Sequence, residues 1–344
     1  MKSKADPQLV FLIGINLLVL LSASLLSKGA FIDPYNLQSM ASQVPELGLL
    51  AIGVMLAMSS GNGGIDLSGI ALANLSGVFS ATVVALYVKV DEAPVLFTLA
   101  FTCIAICTGL VGGVVNGLLI SRLGLTPILC TLGTQLLFTG LAVVVSGGPS
   151  VRVGSSDLLM KIGSGLWFGV PISFLIYLSI ALLVGAVLKF SPFGIRLFLM
   201  GTNPKAARFA GFAQDRLLIT TYGLCGVMAG VAGVLIASRT VNVKWDYGQS
   251  YLLIAILITV MAGVKPEGGY GRMTCLLLST TALQLLSSML NFLAVSNFFR
   301  DCAWGALLLI FLAFGRYELF ARAREKGLQL ISWMQSPPAP KSHS

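Results

Sequence analysis

Long apolar runs separated by short polar segments dominate the chain. The hydrocarbon core of a bilayer is about 30 Å thick, and a helix needs roughly 20 apolar residues to cross it. Ten runs approach this length, and each predicts a membrane-spanning helix. They are Leu9–Leu26, Leu37–Ser60, Ile70–Val88, Val95–Leu119, Leu129–Ser146, Leu166–Leu188, Leu217–Ala237, Tyr247–Val264, Met273–Leu293 and Cys302–Leu319. The eighth and tenth runs are the weakest, and their length also fits a re-entrant segment.

The composition agrees with this pattern. Of the 344 residues, 56% are hydrophobic and 10% are charged, whereas soluble domains carry about 25% charged residues. We therefore expect an all-α, polytopic integral membrane protein. Residues 1–320 form a single transmembrane domain in this interpretation, and residues 321–344 form a short, basic and disordered cytoplasmic tail.

The placement of lysine and arginine predicts the orientation. If the N-terminus is cytoplasmic and ten spans follow, 15 of the 22 Lys and Arg residues fall on the inside and 7 on the outside. This bias favours cytoplasmic N- and C-termini, because short cytoplasmic loops carry the excess of positive charge. The net charge of +9 is therefore a property of the topology, and we expect no nucleic-acid partner.

Several kinds of chemistry lack the residues they would need. The one histidine, His343, lies in the tail, and the six cysteines contain no CxxC pair, so neither a metal site nor a catalytic centre is expected. No G-x-x-x-x-G-K-[ST] motif occurs, so the chain has no P-loop for ATP. We expect no enzyme activity and no cofactor in this chain itself.

The stretch GNGGIDLSG, residues 61–69, places an acid between two apolar runs. Gly63 and Gly64 predict the end of one helix and a turn, which the predicted topology puts on the cytoplasmic side. Asp66 either caps or lies beside the positive N-terminus of the next helix, where a carboxylate is favoured, or it lines a solute path.

Two further polar residues lie inside apolar runs. Asn116 belongs to a ladder of glycines spaced by four in the fourth run, and a second ladder marks one face of the seventh. Such ladders predict close helix packing, and Asn116 either bonds a neighbouring helix or lines a path. Glu46 follows Pro45, which predicts either a helix N-terminus near the outer face or a carboxylate on the path.

The longest inside loop, residues 189–216, contains a helix signal of its own. Asn203 followed by Pro204 is a typical helix start, and Gly211 is a natural stop. The resulting two-turn helix would carry Lys205 and Arg208 on one side. It could lie in the lipid headgroups or dock into a groove of a partner, and the residues alone do not decide between these roles.

Four segments in order along residues 40–315 resemble one family. They are GGIDLS (63–68), NGLLISRLGLTPILCTLGT (116–134), SPFGIRLFLMGTNPKAARFAGF (191–212) and GVKPEGGYG (263–271). These segments are similar to those of the inner-membrane permease subunits of bacterial ABC importers for simple sugars, of the ribose, arabinose, xylose and autoinducer-2 type.

This resemblance implies a function and a set of partners. Such a permease translocates a monosaccharide or similar small solute across the bacterial inner membrane and works as a homodimer or heterodimer. A cytoplasmic ABC ATPase uses the ATP, and a periplasmic sugar-binding protein delivers the solute. The segment 191–212 would be the coupling helix that docks into the ATPase. The positions that match the family there are Gly201, Asn203, Ala206, Ala207, Arg208 and Gly211.

The alternative from another class is an ion-coupled secondary transporter or a channel. Such a protein is expected to carry paired ionisable groups within the membrane. Glu46 and Asp66 are the acids nearest to membrane depth, and the sequence offers neither of them an obvious basic partner. We therefore favour the ABC permease.

Overall fold

The computed structural model describes residues 6–153, 156–296 and 298–313, and this part of the chain is almost entirely helical. A short 3-10 helix, Ala30–Ile32, follows α1, and residues 298–313 are also helical. The α-helices are α1 (Pro7–Leu26), α2 (Pro34–Ser59), α3 (Gly69–Tyr87), α4 (Pro94–Arg122), α5 (Pro127–Ser146), α6 (Asp157–Ser164), α7 (Ile172–Phe190), α8 (Pro192–Thr202), α9 (Pro204–Phe209), α10 (Gln214–Thr240), α11 (Tyr251–Met261) and α12 (Met273–Phe292).

Eight helices in the described part are long and apolar enough to cross a bilayer, namely α1 to α5, α7, α10 and α12. This confirms a polytopic, all-α membrane protein. The eighth predicted run differs, because α11 has only 11 residues, which is about 17 Å of helix. The tenth run, Cys302–Leu319, is helical as far as residue 313, and its remainder lies outside the described residues.

The eighth run is shortened because its first residues are held in a non-helical loop. The Asn74 side-chain amide on α3 donates to the carbonyl oxygens of Trp245 and Tyr247, at 3.1 and 2.9 Å. Just before this point, β4 (Asn242–Val243) pairs in antiparallel fashion with β1 (Val151–Arg152). The helix therefore begins at Tyr251 rather than at Tyr247.

The sixth run also begins later than expected. A hairpin of β2 (Leu166–Trp167) and β3 (Val170–Pro171) takes up its first residues, and α7 starts at Ile172. The two turn residues, Phe168 and Gly169, have φ angles of +50° and +80°. Two consecutive positive φ values are what a tight two-residue hairpin requires. We call this end of the bundle the hairpin end, and the opposite end the α8–α9 end.

Helix α2 is longer at its start than its apolar pattern suggests. Asp33 caps it by accepting a hydrogen bond from the Tyr35 backbone amide at 2.8 Å, and the helix continues through Pro45. The reading of Pro45 as a first-turn proline is therefore wrong, and Glu46 lies in the middle of a buried helix. The second half of α2 is almost completely buried against α10, α11 and α12.

Helix α10 packs on α4 through the two glycine ladders. A Cβ atom at Gly113 would collide with the Tyr222 carbonyl oxygen and lie 2.9 Å from the Gly226 backbone. Gly109 and Gly117 face α10 in the same way. The predicted close packing is confirmed, and we call this contact the glycine seam.

The glycine seam generates a stability prediction. Gly113→Ala should lower the melting temperature of the detergent-purified chain, because overpacking of this kind costs about 1–3 kcal/mol. The matched control is Gly133→Ala on α5, where an added Cβ meets nothing within 4 Å, and where alanine improves helix propensity. Equal melting temperatures for the two variants would contradict the close approach of α4 and α10.

Candidate functional site

At one end of the bundle, α8 and α9 form a pair of short helices with strong caps. The Ser191 hydroxyl accepts from the Gly194 amide at 3.3 Å, and the Asn203 side chain accepts from the Ala206 amide at 3.0 Å. Gly211 ends the pair with a φ of +77°. The short helix predicted from Asn203 and Pro204 is therefore present, and a second short helix, α8, directly precedes it.

The residues of α9 divide into one that packs inward and several that face outward. Ala207 is 5% exposed and packs on the main hydrophobic core. Phe209 is 93% exposed, and Lys205, Ala206 and Arg208 are exposed as well. The sequence does not show which side of a two-turn helix faces the bundle, so it groups Ala207 and Phe209 together as apolar surface although they face in different directions.

Two glycine-rich loops meet the last turn of α8. We call the meeting point the glycine junction, and it consists of Gly61, Gly201, Gly268 and Gly269. A Cβ at Gly201 would collide with the Ser59 carbonyl and the Gly269 amide. The Gly269 amide donates to the Ser59 carbonyl at 3.2 Å, and the Gly63 amide donates to the Pro266 carbonyl at 3.2 Å. Backbone therefore touches backbone, and side chains at these positions would separate the loops.

From this junction the chain enters the turn that holds Asp66. Its carboxylate is 4% exposed and accepts from the Ser68 amide at 2.9 Å and from the Ser68 hydroxyl at 2.7 Å. Burial raises the pKa of the Asp66 carboxyl, and the hydrogen bonds from Ser68 partly oppose that shift. Ser68 rather than Asp66 is the N-cap position of α3, so Asp66 lies beside the start of this helix and bonds its N-cap residue.

Two other helices hold this turn in place. The Asn116 side-chain amide on α4 donates to the Ser68 hydroxyl at 2.8 Å. The Thr131 hydroxyl on α5 accepts from the Leu67 amide at 3.1 Å. The turn itself is tight, since a Cβ at Gly64 would collide with the Ala57 carbonyl, whereas Gly63 faces open space with a φ of +70°. Asn116 is thus placed as a partner of the turn.

Nearer the hairpin end, Glu46 lies in a second polar cluster. It is 1% exposed, and its carboxylate accepts two hydrogen bonds from the Arg239 guanidinium, Nε to Oε1 at 2.5 Å and Nη2 to Oε2 at 3.1 Å. Tyr247 donates to Oε2 at 3.0 Å, and Tyr251 lies 3.5 Å from the same oxygen. The expectation that Glu46 lacks a basic partner is wrong, because α10 brings Arg239 to it from 193 positions away.

A small internal cavity lies between α2, α3, α10 and α11. Asp66 and Tyr251 both line it, together with Leu50, Val54 and Cys225. Its volume is about 10 Å³, close to the least that holds one water molecule. The structure is therefore closed to any larger solute at this point.

One known protein family matches most of the chain. The family described as "Branched-chain amino acid transport system / permease component" matches residues 36–312. The chain belongs to this family. It is therefore a multi-pass membrane permease subunit and not an enzyme, and the resemblance inferred from the four motifs is confirmed.

Several members of the family are similar over most of their length. The ribose import permease protein RbsC of Bacillus subtilis (strain 168) is 33% identical over 282 residues, which cover 82% of this chain and 84% of that protein. RbsC of Escherichia coli (strain K12) is 28% identical over 299 residues, 86% of this chain and 90% of that protein. The L-arabinose transport system permease protein AraH of the same strain is 26% identical over 291 residues, 83% and 84% respectively. No solved structure matches the chain.

The Asp66 turn generates a second prediction. Ser68→Ala removes the hydroxyl that joins Asp66 to Asn116, and leaving buried polar groups without partners costs about 1–3 kcal/mol. We expect a lower melting temperature for the detergent-purified permease. Ser179→Ala is the control, since the exposed Ser179 hydroxyl bonds only the Leu175 carbonyl of its own helix. A Ser68→Ala variant as stable as the control would show that the turn does not depend on this bridge.

Proposed function

We propose that the chain is the membrane-spanning subunit of an ATP-driven importer for a monosaccharide or similar small polar solute. The observation that carries the proposal is the similarity to permeases named for ribose and L-arabinose, at 26–33% identity over more than 80% of the chain. An ABC ATPase on a separate subunit supplies the energy, a periplasmic binding protein delivers the solute, and a second permease subunit completes the path.

The proposed topology places both termini in the cytoplasm of a bacterial cell and the α8–α9 end on the cytoplasmic face. The 15 to 7 distribution of Lys and Arg supports it, because positive residues accumulate in short cytoplasmic loops. In this arrangement α11 and the helical residues 298–313 supply the two segments beyond the eight long spans. Residues 1–320 remain the proposed transmembrane domain and 321–344 the proposed tail.

We assign ATPase docking to α9 and its flanks. The proposed coupling positions are those that match the family, Gly201, Asn203, Ala206, Ala207, Arg208 and Gly211. Their roles differ: Ala207 packs inward, Asn203 and Gly211 define the ends of the helix, and Ala206 and Arg208 face outward. Phe209 joins them as the aromatic anchor, since exposed aromatic and arginine side chains are the groups that contribute most to binding at interfaces.

The glycine junction is the proposed route from the ATPase to the solute path. A rigid α8–α9 pair that moves with the ATPase displaces Gly201 against the loops that hold Gly61 and Gly269. The loop containing Gly61 continues directly through Gly63 and Gly64 into the Asp66 turn. Movement at the docking face is thereby passed to the start of α3 without a long chain of side-chain contacts.

The ion-coupled alternative gains one feature from the structure. The Glu46–Arg239 pair joins a buried carboxylate to a partly buried guanidinium, and paired ionisable groups of this kind are expected in such transporters. The similarity to permeases named for ribose and L-arabinose outweighs this feature. The two functions differ in one requirement that can be tested. An ABC permease needs an ATPase partner, and an ion-coupled transporter does not.

Replacing Phe209 tests the docking assignment and the requirement for ATP together. Phe209→Ala should reduce co-purification of the ATPase subunit about 30-fold, since truncation of an aromatic hot spot costs about 2 kcal/mol or more. ATP-dependent uptake of ribose or L-arabinose by proteoliposomes should fall with it.

Phe168→Ala is the matched control, because Phe168 is 91% exposed but lies in the β2–β3 hairpin at the opposite end of α7. We expect this variant to retain the ATPase. Undiminished ATPase binding by Phe209→Ala would remove α9 as the docking element. Uptake by the wild-type chain without any ATPase would instead support the ion-coupled alternative.

A further inference from the structure

The contact between Glu46 and Arg239 is unlike the other ion pairs in the described residues. The Glu46 side chain is 1% exposed and its Arg239 partner 28%, whereas the carboxylates of three other pairs in the described residues are 25–69% exposed. A buried ion pair adds little to stability compared with apolar residues of similar volume. Ionisable groups inside a membrane bundle are costly and mark functional sites. We therefore expect this pair to have a function in addition to packing.

The pair has the geometry of a bidentate ligand contact. Two nitrogens of the Arg239 guanidinium bond the two different oxygens of Glu46, as in a bidentate arginine–carboxylate contact. Two adjacent hydroxyl groups of a sugar present the same kind of paired donors. A vicinal diol therefore offers this carboxylate the same number of hydrogen bonds as the guanidinium, without its positive charge.

The surroundings of Glu46 also suit a polyhydroxylated solute. Tyr247 and Tyr251 direct their hydroxyls toward Oε2, and their rings pack edge to face with centroids 5.8 Å apart. Aromatic rings provide apolar surface for the C–H faces of a sugar, and phenols provide hydrogen bonds to its hydroxyls. The Asn74 contacts to the Tyr247 carbonyl fix the loop that carries the first of these rings.

This cluster borders the closed cavity. Tyr251 contacts Glu46 and also lines the cavity that Asp66 reaches from the other polar cluster. A solute that left Glu46 toward the α8–α9 end would therefore meet a second carboxylate with hydrogen-bond capacity, because the Oδ1 atom of Asp66 accepts both bonds from Ser68.

We propose that Glu46, Tyr247 and Tyr251 form a recognition site for a neutral, polyhydroxylated solute, and that the Arg239 side chain occupies this site when no solute is bound. The inference rests on the proposed import function. Arg239 acts as a tethered substitute that satisfies the buried carboxylate in the resting state, and the solute displaces it on the way to the cavity.

The test uses the complete importer in proteoliposomes, with ribose and L-arabinose as probes, and measures solute imported and phosphate released. The double substitution Glu46→Gln with Arg239→Gln leaves no unpaired charge, so it separates recognition from folding. We expect solute import per ATP to fall at least tenfold. Tyr251→Phe removes a single hydroxyl and should lower solute import per ATP severalfold. If the double variant does not assemble, this single variant tests the recognition site instead, and unchanged import per ATP would overturn it.

The matched control neutralises an exposed pair at a distance, Lys89→Gln with Glu92→Gln, and should leave import per ATP unchanged. Import by the Glu46 and Arg239 double variant within twofold of wild type would overturn the recognition site. So would unchanged import accompanied by faster ATP hydrolysis without solute, which would assign the pair to closure alone. Uptake of either sugar by the wild-type permease without ATP or its ATPase would instead contradict the proposed function itself.

Discussion

The close approach of α10 to α4 is the contact on which the rest of this structure depends. Glycines on both helices let their backbones touch, and this fixes α10 in the centre of the bundle against α2 and α3. Cys225 then lies beside the cavity, and Arg239, near the last turn of the same helix, reaches Glu46 on α2. One helix thereby carries both the packing seam and half of the buried ion pair.

The bilayer imposes the second constraint, which is that buried polar groups need partners within the protein. The chain meets it by gathering its polar side chains into two clusters. One cluster fixes the Asp66 turn through Ser68 and Asn116, and the other surrounds Glu46. The cavity of about 10 Å³ between them is too small for a sugar. Opening a path must therefore separate α2 or α3 from α10 or α11. The glycine junction connects the proposed ATPase contact on α9 to the loop between α2 and α3, so movement at that contact can drive the separation.

Much of the fold followed from the sequence, because long apolar runs and glycine ladders act locally. The spans, the caps at Asn203 and Gly211, and the glycine turn before Asp66 were all readable from short segments. What could not be predicted depends on distant contacts. Asn74 shortens the eighth run by holding the Trp245–Tyr247 carbonyls, and Arg239 pairs with Glu46 across 193 positions. A single sequence does not show such pairings, and for the same reason it does not show that Ala207 faces inward while Phe209 faces outward.

The central claim is that ATP-driven movement opens the cavity between the two polar clusters, and the reactivity of Cys225 measures this directly. Its thiol is 2% exposed, lines the cavity and donates to the Gly53 carbonyl at 3.2 Å. In an importer whose permease keeps Cys225 as its sole cysteine, a small water-soluble thiol reagent should label it much faster during ATP turnover than at rest. A chain that keeps only Cys275, which is equally buried but lies away from the cavity, should stay unlabelled under both conditions. Labelling of Cys225 at the same slow rate with and without turnover would contradict the account.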